Sequence, residues 1–262
     1  MFITKRIFAV PILIMAFNFI AAADGGTTGF QALRIAHAGG GLEKKTYTNS
    51  YQALDANIEN GFRYFEIDFT FTSDDQLVCL HDWKSNFKRS FGFETEHRLS
   101  LEEFQKLAEE NTKFTNCTLT GLAGWMVENP VALIVTDVKE DNLKALKRIH
   151  EVLPDADTRV IPQVYDPVNF EEIHAMGFEQ IIWTLYRYSG SDYQVIHWLD
   201  EWSSKVAVTM PKEWATSALP KAVKSRGIPT YVHTVNNPEE MRKLLTELGI
   251  TEIYTDFLAP RD

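Results

Sequence analysis

The chain has 262 residues, 45% of them hydrophobic, with a formal net charge of −10. That length suits one large domain or two small ones, and it matches the roughly 250 residues of a single α/β barrel. The acidity is spread along the chain, which argues against nucleic acid or an anionic membrane surface as the main partner, because both call for a basic footprint.

The first 23 residues read as a signal peptide. Lys5 and Arg6 form a positive start, residues 7–20 are mostly apolar, and Ala21, Ala22 and Ala23 offer a small-residue cleavage site before Asp24. The apolar run is interrupted by Asn18 and falls short of the roughly 20 residues a spanning helix needs. A secreted or periplasmic protein with no stable membrane span after cleavage is expected, its residues 24–262 forming a single barrel domain. Residues 24–30, rich in Gly and Thr, form the linker to it.

Beyond the linker, short apolar runs alternate with amphipathic stretches. In chain order the spacing predicts a strand over 33–38, a helix over 50–60, strands over 64–70 and 77–81, and a helix over 101–109. Then follow strand 132–138, helix 142–153, strand 160–164, helix 169–176, strand 180–185, helix 192–201 and strand 206–209. Helix 215–226, strand 230–234, helix 238–247 and strand 252–255 complete the series. Gly61, Gly177, Gly227 and Gly249 stand where left-handed cap residues end helices.

Strands separated by helices mean parallel strands joined by crossovers, closed into a barrel or left open as a doubly wound sheet. Gly39, Gly40 and Gly41 follow a strand, but no helix starts at once, so they do not form a dinucleotide loop. Residues from about 82 to 126 break the alternation with a single predicted helix and read as an insertion after the third strand. Cys79 and Cys117 make no disulfide framework. One bridge between them is allowed, and Cys79, in an apolar run, is expected to pack as a small buried residue. Asn116-Cys117-Thr118 is a glycosylation sequon, meaningful only in a host that glycosylates.

Ionisable residues gather at the C-terminal ends of four predicted strands: His37, then Glu66 and Asp68, then His81 with Asp82, then Asp137 and Lys139. A strand has a side-chain period of two, so Glu66 and Asp68 share one face, as do Asp137 and Lys139. In a barrel sheathed by apolar helices such residues point inward and upward, where barrel active sites are built. Each alone could be structural. Three carboxylates converging on one spot, however, are expensive to bury without a cation. Their hard oxygen donors suit Mg²⁺ or Ca²⁺, and no Cys/His cluster has zinc spacing.

The segments Ile35-Ala36-His37-Ala38-Gly39-Gly40, Thr48-Asn49-Ser50, Gly61, Glu66-Ile67-Asp68 and Leu77 through Asp82 resemble the opening signature of the glycerophosphodiester phosphodiesterases. Asp137-Val138-Lys139, Val232 through Asn236, and Gly249 through Asp256 resemble later strands of that family in the same order. The resemblance implies a (β/α)8 TIM barrel with a small insertion after the third strand. It makes His37 and His81 the general acid and base, Glu66, Asp68 and Asp137 the ligands of a divalent cation, and Lys139 a phosphate contact. The family's usual Arg after the first His is here Ala38, its usual Glu before the Asn-Thr pair is Thr48, and its later metal carboxylate is Asp137 rather than Glu.

Gln163, Tyr165 and His233 are softer candidates for the pocket wall, with structural packing as their competing role. Trp125, Trp183 and Trp214 are commoner as core than as stacking platforms. His97, His150, His174 and His197 fall in helical or insertion stretches and are expected at the surface.

The expected activity is metal-dependent hydrolysis of a small-molecule glycerophosphodiester to an alcohol and glycerol phosphate. A phospholipase C/D-like enzyme acting on phosphoinositide or sphingolipid head groups is the nearest alternative. A barrel that binds phosphodiesters without catalysis is the other, and retention of both histidines, three carboxylates and the lysine argues against it.

Overall fold

A closed ring of parallel strands is the centre of the computed structural model, which describes residues 29–202 and 205–260. The strands are β1 (Ile35–Ala36), β2 (Tyr64–Phe71), β3 (Leu77–Cys79), β4 (Leu133–Val138), β5 (Val160–Val164), β6 (Gln180–Thr184), β7 (Lys205–Met210), β8 (Thr230–Val232) and β9 (Glu252–Thr255). The order runs β1-β9-β8-β7-β6-β5-β4-β2, and β1 pairs with β2 to close it. Eight strands are therefore parallel, with helices outside them, and the architecture is a (β/α)8 barrel.

β3 departs from the expectation of parallel strands throughout. It pairs antiparallel with β2, with Phe69 opposite Cys79 and Phe71 opposite Leu77. The link between them runs only from Thr72 to Gln76, where Thr72 N donates to Gln76 O at 2.8 Å. A crossover to a parallel strand needs a dozen or more residues, so this short polar link can only make a hairpin.

Parity sorts the side chains. One residue from each barrel strand packs in the lumen: Ile35, Tyr64, Val135, Ile161, Ile182, Ala207, Tyr231 and Tyr254, with Phe30 against them. Their neighbours, such as Phe65, Ile134 and Ile253, face the outer layer and belong to the larger core formed with the helices. Counting in twos from the lumen residues reaches His37, Glu66, Asp68, Asp137, Gln163, Tyr165, His233 and Asp256. The same pleat that fills the barrel thus lifts every polar candidate toward its C-terminal end.

Helix ends follow the sequence signals. Ser50 caps α1 (Tyr51–Glu59) by accepting from Ala53 N, and Gly61, Gly177, Gly227 and Gly249 all have positive φ, 96°, 109°, 74° and 84°. Residues 82–126 hold three helices rather than one: α2 (Ser85–Phe91), α3 (Leu101–Glu110) and α4 (Leu119–Glu128). The first two share a small core of their own, Val78, Leu80, Phe87, Phe104 and Ala108, with Trp83 and Phe91 packed against it. α4 instead belongs to the barrel, because Leu119, Leu122 and Met126 join the main core. Its Gly-rich, evenly apolar sequence hides the helical period.

Cys79 and Cys117 form a disulfide with Cα atoms 5.0 Å apart, correcting the reading of Cys79 as merely a small packed residue. The bridge ties the end of β3 to the start of α4. Beside it, Asn116 is buried, and its Nδ2 donates to the carbonyls of Thr48 and Cys79, both at 2.9 Å. The sequon asparagine therefore serves packing. Trp125 and Trp183 are buried in the main core and Trp214 packs on it. Among the described residues no helix is long and apolar enough to cross a membrane. The leader read over residues 1–23 lies outside the described residues.

Candidate active site

β1 ends at Ala36, and the next three residues make a tight 3-10 turn in which Ala38 adopts a left-handed conformation, φ 50°. That turn points the Ala38 N–H at Glu66 Oε2, 2.6 Å away. It also places His37 with Nε2 4.0 Å from the same carboxylate and Nδ1 2.9 Å from Asp256 Oδ1. Asp256 is itself fixed by Asn236, whose Nδ2 donates to Oδ2 at 2.7 Å and whose Oδ1 accepts from Asp256 N at 2.8 Å.

Asp68 lies opposite Asp137 in the β2–β4 register. Asn49 holds it from the other side in a reciprocal pair: Asn49 Nδ2 donates to Asp68 Oδ2, and Asp68 N donates to Asn49 Oδ1, both at 3.0 Å. Lys139 Nζ bridges Asp68 Oδ1 at 3.1 Å and Asp137 Oδ2 at 2.6 Å, and the Tyr165 hydroxyl donates to the second Asp137 oxygen. Glu66, Asp68 and Asp137 can each offer an oxygen lying within 4.8 Å of the others, and all three are buried. Among the described residues no other such group is found.

The electrostatics match a cation site. Burial, then the charge of Asp68, raises the Glu66 carboxyl well above its ordinary value, and Glu66 Oε1 is buried without a hydrogen-bond partner. Burial works against the Asp137 charge, yet Lys139 and Tyr165 hold that carboxyl below the usual range. Burial also disfavours the ammonium of Lys139, but Asp68 and Asp137 raise it. On His37 burial opposes protonation, and the Asp256 hydrogen bond with the charges of Glu66, Asp256 and Asp68 outweighs it, raising the imidazole to about 9.

His37, Asp68, Asp137, Lys139 and Tyr165 border one cavity of about 350 Å³, which His81 and His233 also line. His81 Nδ1 lies 2.8 Å from Asp82 Oδ2, and Asp82 in turn accepts from Lys84 N at 2.8 Å and Asn86 N at 3.1 Å. The Tyr47 ring stands edge-on between the two histidines, 4.4 Å from the His37 ring and 5.4 Å from that of His81. His233 packs on Tyr186 at 4.4 Å and Tyr254 at 4.7 Å. Its Nδ1 is buried and unpartnered, and burial followed by the His37 charge depresses it to about 3. A larger cavity of about 690 Å³ opens at the N-terminal ends of the strands beside Phe30, Lys205 and Ile228, away from this chemistry.

Of the nine candidates from sequence, seven line the cavity, namely His37, His81, Asp68, Asp137, Lys139, Tyr165 and His233, and Glu66 joins them through the acid cluster. Gln163 is not among the lining residues. It is buried, and its Oε1 accepts from the Tyr254 hydroxyl at 3.5 Å. Sequence reasoning did not single out Asp256, Asn236, Asn49, Tyr47 or Arg187 as site residues. Asp256 carried a usable signal, being an acid two residues past the lumen residue Tyr254.

Residues 40–127, about a third of the chain, match the model of the Glycerophosphoryl diester phosphodiesterase family. The match takes in Glu66, Asp68 and His81 and leaves His37, Asp137 and Lys139 outside. No curated protein sequence matches the chain. Among solved structures, a glycerophosphodiester phosphodiesterase from Thermotoga maritima is 21% identical over 87% of this chain and 96% of its own, with a TM-score of 0.64. A glycerophosphoryl diester phosphodiesterase from Parabacteroides distasonis is 16% identical over 86% of this chain and 82% of its own, TM-score 0.63. A phosphodiesterase from Oleispira antarctica, solved with the product sn-glycerol-3-phosphate, is 15% identical over 86% of this chain and 93% of its own, TM-score 0.67. At such identities the structural likeness is one of fold. Together with the matched segment, it bears out the resemblance drawn from the motifs.

Proposed function

We propose that the chain is a metal-dependent hydrolase of glycerophosphodiesters, releasing an alcohol and glycerol phosphate. One observation carries the reading: a single cavity is bordered by two imidazoles, each held at Nδ1 by its own carboxylate, and by Asp68 and Asp137, whose acid cluster Glu66 completes. Holding Nδ1 leaves Nε2 of His37 and of His81 as the nitrogens that exchange protons. In hydrolysis a phosphorus–oxygen bond to the alcohol breaks while one to the attacking oxygen forms. One imidazole accepts the proton of the attacking hydroxyl and the other supplies a proton to the departing alcohol oxygen.

Glu66, Asp68 and Asp137 would hold the cation. Their oxygen donors fit Mg²⁺ or Ca²⁺, and the unpartnered Glu66 Oε1 fits a ligand position. When bound, a divalent cation supplies charge that stabilises the phosphoryl oxygens. Lys139, ion-paired with both Asp68 and Asp137, orients the two carboxylates for that role. The product bound to the Oleispira antarctica protein supports a glycerol phosphate product here. Export fits the leader over residues 1–23, and the Cys79–Cys117 bridge fits an oxidising compartment.

The test is a screen of purified protein with Mg²⁺ or Ca²⁺ against glycerophosphocholine, phosphoinositides and sphingomyelin, with an EDTA control. Turnover of glycerophosphocholine that EDTA abolishes is expected. Binding without turnover in the presence of metal would overturn the enzyme reading, and preferential cleavage of sphingomyelin would replace the substrate class.

A further inference from the structure

The charges around the cavity leave one lining cation without an acidic partner. His37 is matched by Asp256, His81 by Asp82, and Lys139 by Asp68 and Asp137. A divalent cation, if bound, would with Lys139 balance the three acids of the cluster, leaving nothing among these groups to answer the negative charge of a phosphodiester. Arg187 is the remaining cation lining the cavity, and no carboxylate among the described residues pairs with it.

Its guanidinium is held in place by two contacts that use little of its binding capacity. Nη1 donates to the Lys139 carbonyl at 2.7 Å, and the guanidinium carbon lies 5.0 Å from the centre of the Tyr165 ring. Tyr165 is anchored in turn through its hydroxyl on Asp137. Nε and Nη2 make no hydrogen bond among the described residues. A planar fork with its orientation fixed and donors to spare suits a tetrahedral oxyanion better than a flexible ammonium does.

Its position sharpens the argument. A second cavity of about 420 Å³, lined also by Trp83, Lys84 and Arg98, shares three residues with the first: His81, Lys139 and Arg187. A phosphodiester with its phosphorus beside the acid cluster and its alcohol in the second cavity must cross that shared wall. We propose that Arg187, stacked on Tyr165, binds a non-bridging oxygen of the substrate phosphate at the junction of the two cavities and so fixes which side the alcohol leaves from. The proposal rests on the function proposed above and adds a substrate-positioning residue to it.

The experiment compares Mg²⁺-loaded wild type, R187A and R187K in hydrolysis of glycerophosphocholine and in calorimetric binding of sn-glycerol 3-phosphate. Loss of a charge-assisted hydrogen bond predicts KM raised about 10- to 100-fold in R187A, kcat much less affected, and product affinity weakened to a similar degree. R187K should recover only part of this, because an ammonium neither forks nor stacks. Guanidinium chloride at low concentration should partly restore R187A and leave wild type unchanged, which a purely structural arginine would not show. Arg187 is exposed, so thermal melting of R187A should match wild type. R187A with wild-type KM and product affinity, in a preparation whose wild type turns over, overturns the inference and leaves the enzyme reading intact. A wild type that hydrolyses no glycerophosphodiester overturns that reading instead. Arg187 is then judged on sn-glycerol 3-phosphate affinity alone: weakened binding in R187A supports it and unchanged binding overturns it.

Discussion

Asp256 Oδ1 lies 2.9 Å from Nδ1 of His37, although 219 positions separate the two residues in the chain. They meet because β9 pairs with β1 at the seam of the barrel, with Ala36 beside Thr255. Asp256 fixes the ring orientation and stabilises the imidazolium, much as an orienting acid does for a catalytic base elsewhere.

Asp256→Asn tests this directly. The amide preserves the shape but removes the charge, so kcat should fall by about 10²–10⁴-fold, the usual scale for disabling a general acid or base, with a small change in KM. In metal-free protein an NMR titration should place His37 below the value of about 9 it has beside Asp256. An unshifted His37 would remove Asp256 from the role.

Metal binding should depend on the three acids together. Calorimetry with Mg²⁺ or Ca²⁺ should show one site in wild type and weakened binding in Glu66→Gln, Asp68→Asn and Asp137→Asn. Because burial and Asp68 raise the Glu66 carboxyl, binding should release protons, detectable as an enthalpy that varies with the ionisation heat of the buffer. Buffer-independent heat would contradict the assignment of Glu66.

How far the site was legible depended on whether a residue's role follows from its own strand. Glu66, Asp68 and Asp137 were readable because period-two alternation fixes their face once the strand is recognised. Asn49, Tyr47 and Asp256 act through contacts between distant segments, which periodicity does not encode. The hairpin of β2 and β3 was readable in principle, since residues 72–76 are too few and too polar for a crossover. Gln163 has the inward parity of a site residue but is buried and accepts from the Tyr254 hydroxyl, because parity fixes the face and not the partner. The helix Leu119–Glu128 was hidden by apolar residues on most of its faces.

His37→Ala and His81→Ala should each remove most of the turnover, about 10²–10⁴-fold. The double variant should be scarcely worse than either single one, since groups that act as a unit are not additive. Binding of sn-glycerol 3-phosphate should survive in all three. Activity persisting in His37→Ala would take His37 out of the chemistry and leave His81 and the cation to explain it.

The Cys79–Cys117 bridge closes a loop with a sequence separation of 38, holding β3, α2 and α3 against the barrel. Loop-closure entropy puts its contribution at about 4 kcal/mol. Cys79→Ser/Cys117→Ser should therefore melt well below wild type, and a reductant should lower the wild-type midpoint toward that of the variant. Indifference to reductant would mean the thiols are not paired in the protein as isolated.

The last prediction concerns pH and two histidines that face the same cavity with opposite shifts. In metal-free protein His37 is raised from 6.5 to about 9, so the folded state holds a proton that the unfolded chain has lost over that interval. Its stabilisation is complete below about pH 6.5 and disappears as pH rises through 9. His233 is depressed from 6.5 to about 3, mainly by burial, so the unfolded chain takes up a proton that the folded state refuses. Its effect runs the other way: full stability above about pH 6.5, lost as pH falls toward 3. Melting temperatures measured in EDTA, at constant ionic strength, should fall on both sides of a maximum near pH 6.5. His233→Phe keeps an aromatic ring between Tyr186 and Tyr254 and has nothing to protonate, so it should flatten the acid side alone. Asp256→Asn should flatten the alkaline side alone. A His233→Phe profile that follows wild type down to acid pH would show that His233 is already protonated in the fold, and the depressed value would be wrong.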